Sequence, residues 1–333
     1  MVTLAAAGLL LLGVLAIAGT GVWLVVSDWF SLRTVVGVAL LGLAFALRPR
    51  LNRMKNLLEY HRQIEPATAP SLFALIDRVA AAVGAPAPRI VLFSEDYNAF
   101  TATVGLRGRR VLGLGAPLWA TLDEGERVAL LGHEMGHFVN GDVRRGPLVR
   151  VAETTLARLA DLVGPDHLAD GPLEMVGMLI ARFFQRLVLA VHVVLLAFER
   201  RDSQRAEYLA DDLAARAAGT RAAIRLTDRL LIMEAVDTVV RREARAGQGA
   251  AAWRAAGDTA RANLAPELGL LRQLSMRNDV SLWDTHPPAG LRGRMLERRS
   301  DHAPAVQLTE TESARIDEEL AAHYEWARRE LRA

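Results

Sequence analysis

Residues 121–138 read TLDEGERVALLGHEMGHF. Thr121, followed three residues later by Glu124, has the form of an N-terminal capping box. The apolar run Val128–Gly132 follows it, and together they predict a buried helix from Thr121 to Phe138. On a helix, residues four apart stand one above the other, with Cβ atoms about 5–6 Å apart. His133 and His137 can therefore offer two imidazoles to one Zn2+. Glu134 cannot join them as a ligand from the next position, but it is placed to take a proton from an activated water. Two buried histidines beside a buried carboxylate call for a metal or a full set of hydrogen bonds.

A catalytic zinc takes three protein ligands and keeps one position open. The chain has no cysteine, which removes thiolate ligands, disulfide scaffolds and a cysteine nucleophile, and fits a reducing compartment. Residues 138–148 contain no histidine, which disfavours a third histidine close behind the motif. A carboxylate from a second helix remains. The segment RAEYLAD (Arg205–Asp211) offers Glu207 and Asp211 on one helical face. Glu207 could bind the metal while Asp211 holds a histidine N–H. By spacing alone Glu199, Asp202 and Asp212 compete with them.

The surrounding pattern is that of a mainly α fold with a small β-sheet. Pro70–Gly84 has helical spacing and a glycine stop. Arg89–Phe93, Tyr97–Gly105 and Arg110–Leu114 read as strands, and the chain reads helical from about Gly146 onward. Arg241–Ala262 reads as solvated helix, and Thr309–Leu331 as a charged amphipathic helix that packs on the domain. The chain lacks a G-x-S-x-G, and Gly113-Leu-Gly115 is too short for a dinucleotide loop. His61, His167, His302 and His323 are isolated and expected to be exposed.

The 333 residues are 51% hydrophobic with a net charge of only +2, which gives no argument for a nucleic-acid partner. The apolar surplus lies at the start. Residues 1–27 carry no charged side chain, and Val2–Val26 is long enough to span a bilayer as a helix. No Lys or Arg precedes it, unlike a signal peptide. Thr34–Leu47, extended by Trp29, Phe30 and Leu32, forms the second arm of an expected transmembrane hairpin. Arg48, Arg50, Arg53 and Lys55 follow it, whereas the loop between the arms holds only Asp28 and Arg33. Positive charge stays inside, so both termini and the bulk of the chain are expected to face the cytoplasm. Met175–Phe198 is apolar but carries Arg182 and Arg186. It reads either as an amphipathic helix against the membrane or hairpin, or as a long core helix with His192 as a packing residue. The expected divisions are 1–55, the membrane hairpin and basic segment; 56–300, the catalytic domain; and 301–333, the tail.

HEMGH, Asn140, RAEYLAD and Asp284-Thr-His-Pro-Pro288, with Asn98-Ala-Phe100 upstream, resemble in order the HtpX and CAAX-prenyl-protease family of membrane zinc endopeptidases. The resemblance covers about Pro70 to Leu296. It implies an α+β zincin-like catalytic domain holding one Zn2+ per chain through His133, His137 and Glu207. Glu134 is then the base, Asp211 the second acidic position, and His286 a donor to the developing oxyanion. Arg292 matches the arginine after it, and Gly293 stands where an apolar residue is usual. That group commonly has two more membrane helices before the glutamate helix, and here only Met175–Phe198 is a candidate. Asn98, Ala99 and Phe100 are the substrate-binding candidates, with an extended substrate held along an edge strand at Asn98–Val104 or Arg110–Leu114. The implied substrates are unfolded or damaged membrane proteins in the bilayer of the cell (inner or plasma) membrane. The alternatives are a membrane-tethered scaffold or holdase with a structural zinc, and a narrow-specificity protease of lipidated or signal-bearing peptides.

Overall fold

The computed structural model describes residues 2–27, 31–48, 58–105, 108–165, 171–281, 284 and 286–332. Helices α1 (Val2–Ser27) and α2 (Leu32–Ala46) precede β1 (Arg62–Ile64), α3 (Pro70–Val83), β2 (Ile90–Ser94), β3 (Ala99–Val104), β4 (Arg109–Gly115), α4 (Ala116–Thr121) and α5 (Glu124–Asn140). Then follow α6 (Asp142–Val163), α7 (Pro172–Ala218), α8 (Thr220–Leu231), α9 (Met233–Arg245), α10 (Ala250–Leu264), a 3-10 turn at Ala265–Glu267, α11 (Leu268–Asn278), α12 (Ala289–Arg298), α13 (Glu310–Glu319) and α14 (Ala321–Glu330). The chain folds as two compact units, one of residues 1–51 and 145–202 and one of 52–144 and 203–333.

In the first unit, α1 and α2 pack through glycine. A Cβ on Gly37 would lie 2.8 Å from the Gly21 carbonyl oxygen and 2.8 Å from Val25, so only hydrogen fits there. Ala7, Ala152, Leu156 and Leu195 form a small core from α1, α6 and α7. Gln185 donates to the Ala160 carbonyl at 3.1 Å. Among the described residues, two helices, α1 from Ala5 and α7, are long and apolar enough to cross a membrane. With its 15 residues, α2 rises only about 22 Å, short of a hydrocarbon core of about 30 Å. Trp29 and Phe30, expected to extend it, lie outside the described residues, as do Asp28, Arg50, Arg53, Lys55, His167 and Thr285. Met175–Phe198 is not a core helix of the catalytic domain, because Phe183, Phe184, Leu187 and Val194 on it are exposed. Arg182 and Arg186 are exposed with them, and His192 is half-buried.

The second unit holds a four-stranded sheet in the order β1-β2-β4-β3. Strands β2 and β4 run parallel, and the outer pairings are antiparallel. One face (Val91, Phe93, Leu112, Leu114) joins Leu75, Val79, Trp119, Leu131 and Met135 in the main core. The tail belongs to this core: buried Arg127 of α5 donates to Ser313 Oγ at 2.9 Å and to the Asp317 carboxylate at 2.8 Å. Glu319 in turn accepts from the Ser71 N–H at 3.0 Å, capping α3, which has no side-chain cap of its own.

Several elements differ from the sequence reading. The capping box is Asp123/Glu126, not Thr121/Glu124. Pro117 starts the short α4, and the Thr121 hydroxyl is taken up by the Pro117 and Leu118 carbonyls and Tyr97. Arg241–Ala262 is broken at Gly247, whose φ of 83° is left-handed, and the tail is two helices meeting at Leu320. His61, His302 and His323 are half-buried, not exposed. His61 meets Phe100 edge-on, and His323 meets Phe93.

Candidate metal centre

Helix α5 is held at its start by a buried network. Asp123 accepts from the Glu126 N–H at 2.8 Å, and Glu126 accepts from the Asp123 N–H at 2.9 Å. Arg229 of α8 donates to Glu126 at 2.6 Å and to the Thr121 carbonyl at 2.7 Å. These bonds satisfy N–H groups that a helix start leaves free. Two turns further on, α5 meets the C-terminal part of α7 with almost no side chain between them. A Cβ on Gly132 would lie 2.9 Å from Ala217 Cβ, and one on Gly136 would lie 2.8 Å from Ala210 Cα. That approach brings the histidines of α5 to the carboxylates of α7.

His133, His137 and Glu207 each turn one donor atom toward a common point, all within 4.8 Å of one another. The two Nε2 atoms are 3.3 Å apart. Glu207 Oε2 is 3.5 Å from His133 Nε2, and its Oε1 is 3.7 Å from His137 Nε2. Oε2 is buried and accepts no hydrogen bond, although the Arg292 guanidinium lies 3.1 Å from it, so it keeps acceptor capacity that faces the histidines. Two imidazole nitrogens and a carboxylate oxygen are the donor types zinc takes, so the residues fit the ion.

The partners around these donors are also defined. His133 Nδ1 donates to Asp211 Oδ1 at 3.1 Å, which leaves the Nε2 lone pair facing the site. Buried Arg292 of α12 donates to both Asp211 oxygens, at 2.7 and 2.8 Å, and lies 3.1 Å from Glu207 Oε2. His286 is 66% exposed and places Nδ1 2.9 Å from Glu207 Oε1. Burial would push the Glu207 carboxyl up, but the His286 hydrogen bond and the nearby His133 and Arg292 outweigh it and hold it well below the usual carboxylate range. Burial opposes ionisation of Asp211 too, and Arg292 holds its carboxyl down at about 2. Glu134 is buried beside this cluster.

Of the residues singled out in the sequence, His133, His137, Glu207, Asp211 and His286 come together, with Glu134 adjoining. Glu199, Asp202 and Asp212 are not in the donor group. Asn98 is exposed just before β3, the edge strand that runs beside α5. Ala99 packs on the main core, while the Phe100 ring lies on the other face of the sheet, where a Cβ on Gly113 would overlap it. Arg110–Leu114 cannot take an added strand, because β4 is paired on both sides. Gly293 is well fitted, since a Cβ there would meet Thr227 Oγ1 at 3.1 Å. Arg292 was visible in the sequence only as a match to the resembled family. Its bridge between Glu207 and Asp211 had no local signal, since 81 residues separate it from Asp211.

Two histidines of an HExxH helix and a glutamate of a second helix, beside the edge of a small sheet, make the centre of a metallopeptidase. A model of peptidase family M48 matches residues 66–300, well over half of the chain, and the chain belongs to that family. A protease HtpX homolog of Pelotomaculum thermopropionicum is 25% identical over 297 residues, covering 83% of this chain and 96% of its own length. Two further relatives match over shorter stretches. Protease HtpX homolog 1 of Sulfurisphaera tokodaii is 30% identical over 28% of this chain, and a protease HtpX homolog of Desulforapulum autotrophicum is 31% identical over 30% of it. Those two matches span about a third of each relative's length.

Proposed function

We propose that the chain is a membrane-anchored, zinc-dependent endopeptidase whose catalytic unit faces the cytoplasm and which degrades unfolded or damaged membrane proteins. The observation that carries the reading is the convergence of His133, His137 and Glu207 donor atoms on one point, with Glu134 buried beside them. Bound there, zinc would supply Lewis-acid chemistry toward the scissile carbonyl and the attacking water. Glu134 accepts the proton of that water and passes it to the leaving amine nitrogen. Asp211 keeps the His133 proton on Nδ1, and Arg292 holds Asp211 in place. His286, exposed at the mouth of the site, donates a hydrogen bond to the developing oxyanion. The substrate lies extended along the free edge of β3, held by main-chain hydrogen bonds.

Among the described residues the donor group has three members, which leaves a position open and supports a catalytic zinc over the closed site of a scaffold. The apolar α1 and the apolar part of α7 support the anchor. The test is Glu134→Gln, which keeps size and polarity but cannot accept a proton. Zinc content should match the wild type, while peptide hydrolysis falls by about 10²-fold or more. A variant that keeps its activity removes Glu134 from the mechanism.

A further inference from the structure

A cleft of about 700 Å³ opens between α7 and α12, and none of the metal donors line it. Glu207, Ala210 and Asp211 face α5, so Arg205, Tyr208 and Leu209 fall on the opposite side of α7. In the same way Arg292 and Leu296 of α12 point inward, Arg294 and Arg298 are exposed, and Met295 is half-buried between them and the main core. The cleft is apolar at Leu209, Met295 and the Tyr208 ring, and basic at Arg205, Arg294 and Arg298. None of its lining residues is acidic. Arg299, also in the lining, is tied to Asp212 at 2.8 Å, whereas the other three arginines have no ion-pair partner among the described residues.

Unpaired guanidinium groups beside apolar side chains match a ligand that is anionic at one end and apolar at the other. Guanidinium binds phosphate oxygens through paired N–H donors. The position along the chain fits a lipid. Arg205 follows Phe198, the last residue of the apolar stretch of α7, by seven residues. Even fully extended, seven residues reach only about 25 Å. The cleft therefore stays near the end of that stretch however the two units are arranged. We propose that it binds the headgroup of an anionic phospholipid, with the phosphate on Arg205, Arg294 and Arg298 and the glycerol end on Leu209 and Met295. A choline headgroup is disfavoured because its own positive charge would face the arginines. This rests on the membrane anchoring proposed above, but not on the peptidase chemistry.

The test uses the full chain in neutral detergent, titrated with phosphatidylglycerol or phosphatidylcholine, with bound lipid counted by native mass spectrometry. Wild type should prefer phosphatidylglycerol. R205Q/R294Q/R298Q should weaken that binding by about tenfold or more, given what each arginine contributes near an anionic lipid. The charge-matched control R221Q/R245Q/R332Q should change it less than about twofold, and both triples should keep wild-type zinc content. If the first triple does not fold, its three single variants serve, each expected to weaken binding by up to about fivefold. Equal losses in both triples, or equal binding of the two lipids, would overturn the proposal. So would full displacement by millimolar inorganic phosphate, which would make the site one for free phosphate, or by an acidic peptide, which would make it a protein site. Alkaline extraction of membranes tests the anchoring separately. A chain that washes off refutes the anchor, and one that stays while the first triple loses no lipid preference refutes the cleft.

Discussion

Gly136→Ala adds one methyl group between the two histidines without touching a proposed ligand. Its Cβ would lie 2.8 Å from Ala210 Cα and 3.0 Å from Ala210 Cβ. Carbon atoms rest at about 3.5–4.0 Å, so the helices must part by on the order of 1 Å. No rotamer relieves this, because Ala210 has no rotatable side chain to swing aside. Glu207 stands three residues before Ala210 on the same helix, so the shift carries its carboxylate away from His133 and His137. Overpacking of this kind costs about 1–3 kcal/mol, offset by the roughly 1 kcal/mol that alanine gains over glycine in a helix. The net loss should be up to about 2 kcal/mol, and zinc affinity should fall by about tenfold or more, the scale seen when support around ligands is lost. Gly269→Ala in α11 is the control, since a Cβ there meets nothing within 4 Å. It should be neutral or stabilise by up to about 1 kcal/mol. Melting in chelator reads the stability, and competition against a zinc indicator reads the affinity. If Gly136→Ala melts with the control and holds zinc like the wild type, the close approach of α5 and α7 is not what brings Glu207 to the histidines.

Other substitutions separate the roles around the site. Glu207→Ala should lose bound zinc on dialysis, whereas Asp211→Ala should weaken zinc binding by about 10–100-fold and regain part of its activity in excess zinc; zinc per chain before and after dialysis checks both. Arg292→Met leaves two buried carboxylates without their cation, so the metal-free protein should lose about 3–5 kcal/mol. Added zinc should restore part of that by mass action, read as a larger zinc-induced rise in melting temperature than in the wild type. The Asp123 carboxyl is lowered, because the Glu126 N–H and Arg225 outweigh its burial. A lowered pKa contributes stability that is present above the unfolded value of about 3.9 and lost as pH falls through the folded one. Asn caps as well as Asp but cannot ion-pair with Arg225, so Asp123→Asn should lower the melting temperature at pH 7 and flatten its fall below about pH 4.

HEMGH and RAEYLAD are legible because the histidine pair, and Glu207 with Asp211, each follow the helical repeat within one short segment. The choice of Glu207 over Glu199 or Asp202 is not, since spacing along one helix does not say which face meets α5. What decides it is the match of Gly132 and Gly136 to Ala210, Ala214 and Ala217. Each of these small residues is unremarkable within its own helix, and they acquire meaning only as a pair of facing surfaces. Strand β1 escaped notice for a similar reason. Arg62–Ile64 is three residues with no alternation to read, and it is a strand only because Phe93, Leu92 and Val91 pair with it. Thr121 and Asp123 both satisfy the capping-box pattern, and only the α4 turn behind Pro117 tells them apart. The break in the tail at Leu320 carries neither glycine nor proline, so the sequence reads there as one continuous helix.

The charge of the buried cluster ties the site to the fold. Glu134, Glu207 and Asp211 are three buried carboxylates, and among the described residues Arg292 is the buried guanidinium that reaches them. With neutral imidazoles the cluster formally keeps two negative charges, which a divalent cation would match. Burying that much unmatched charge is unfavourable, yet no hydrophobic replacement could keep the donor set. Arg292 therefore does two things. It offsets part of the negative charge where α7 packs against α5, and it ties Asp211, through both its oxygens, to Glu207 at 3.1 Å. His286 adds a polar contact to Glu207 at 2.9 Å from the exposed side of the site.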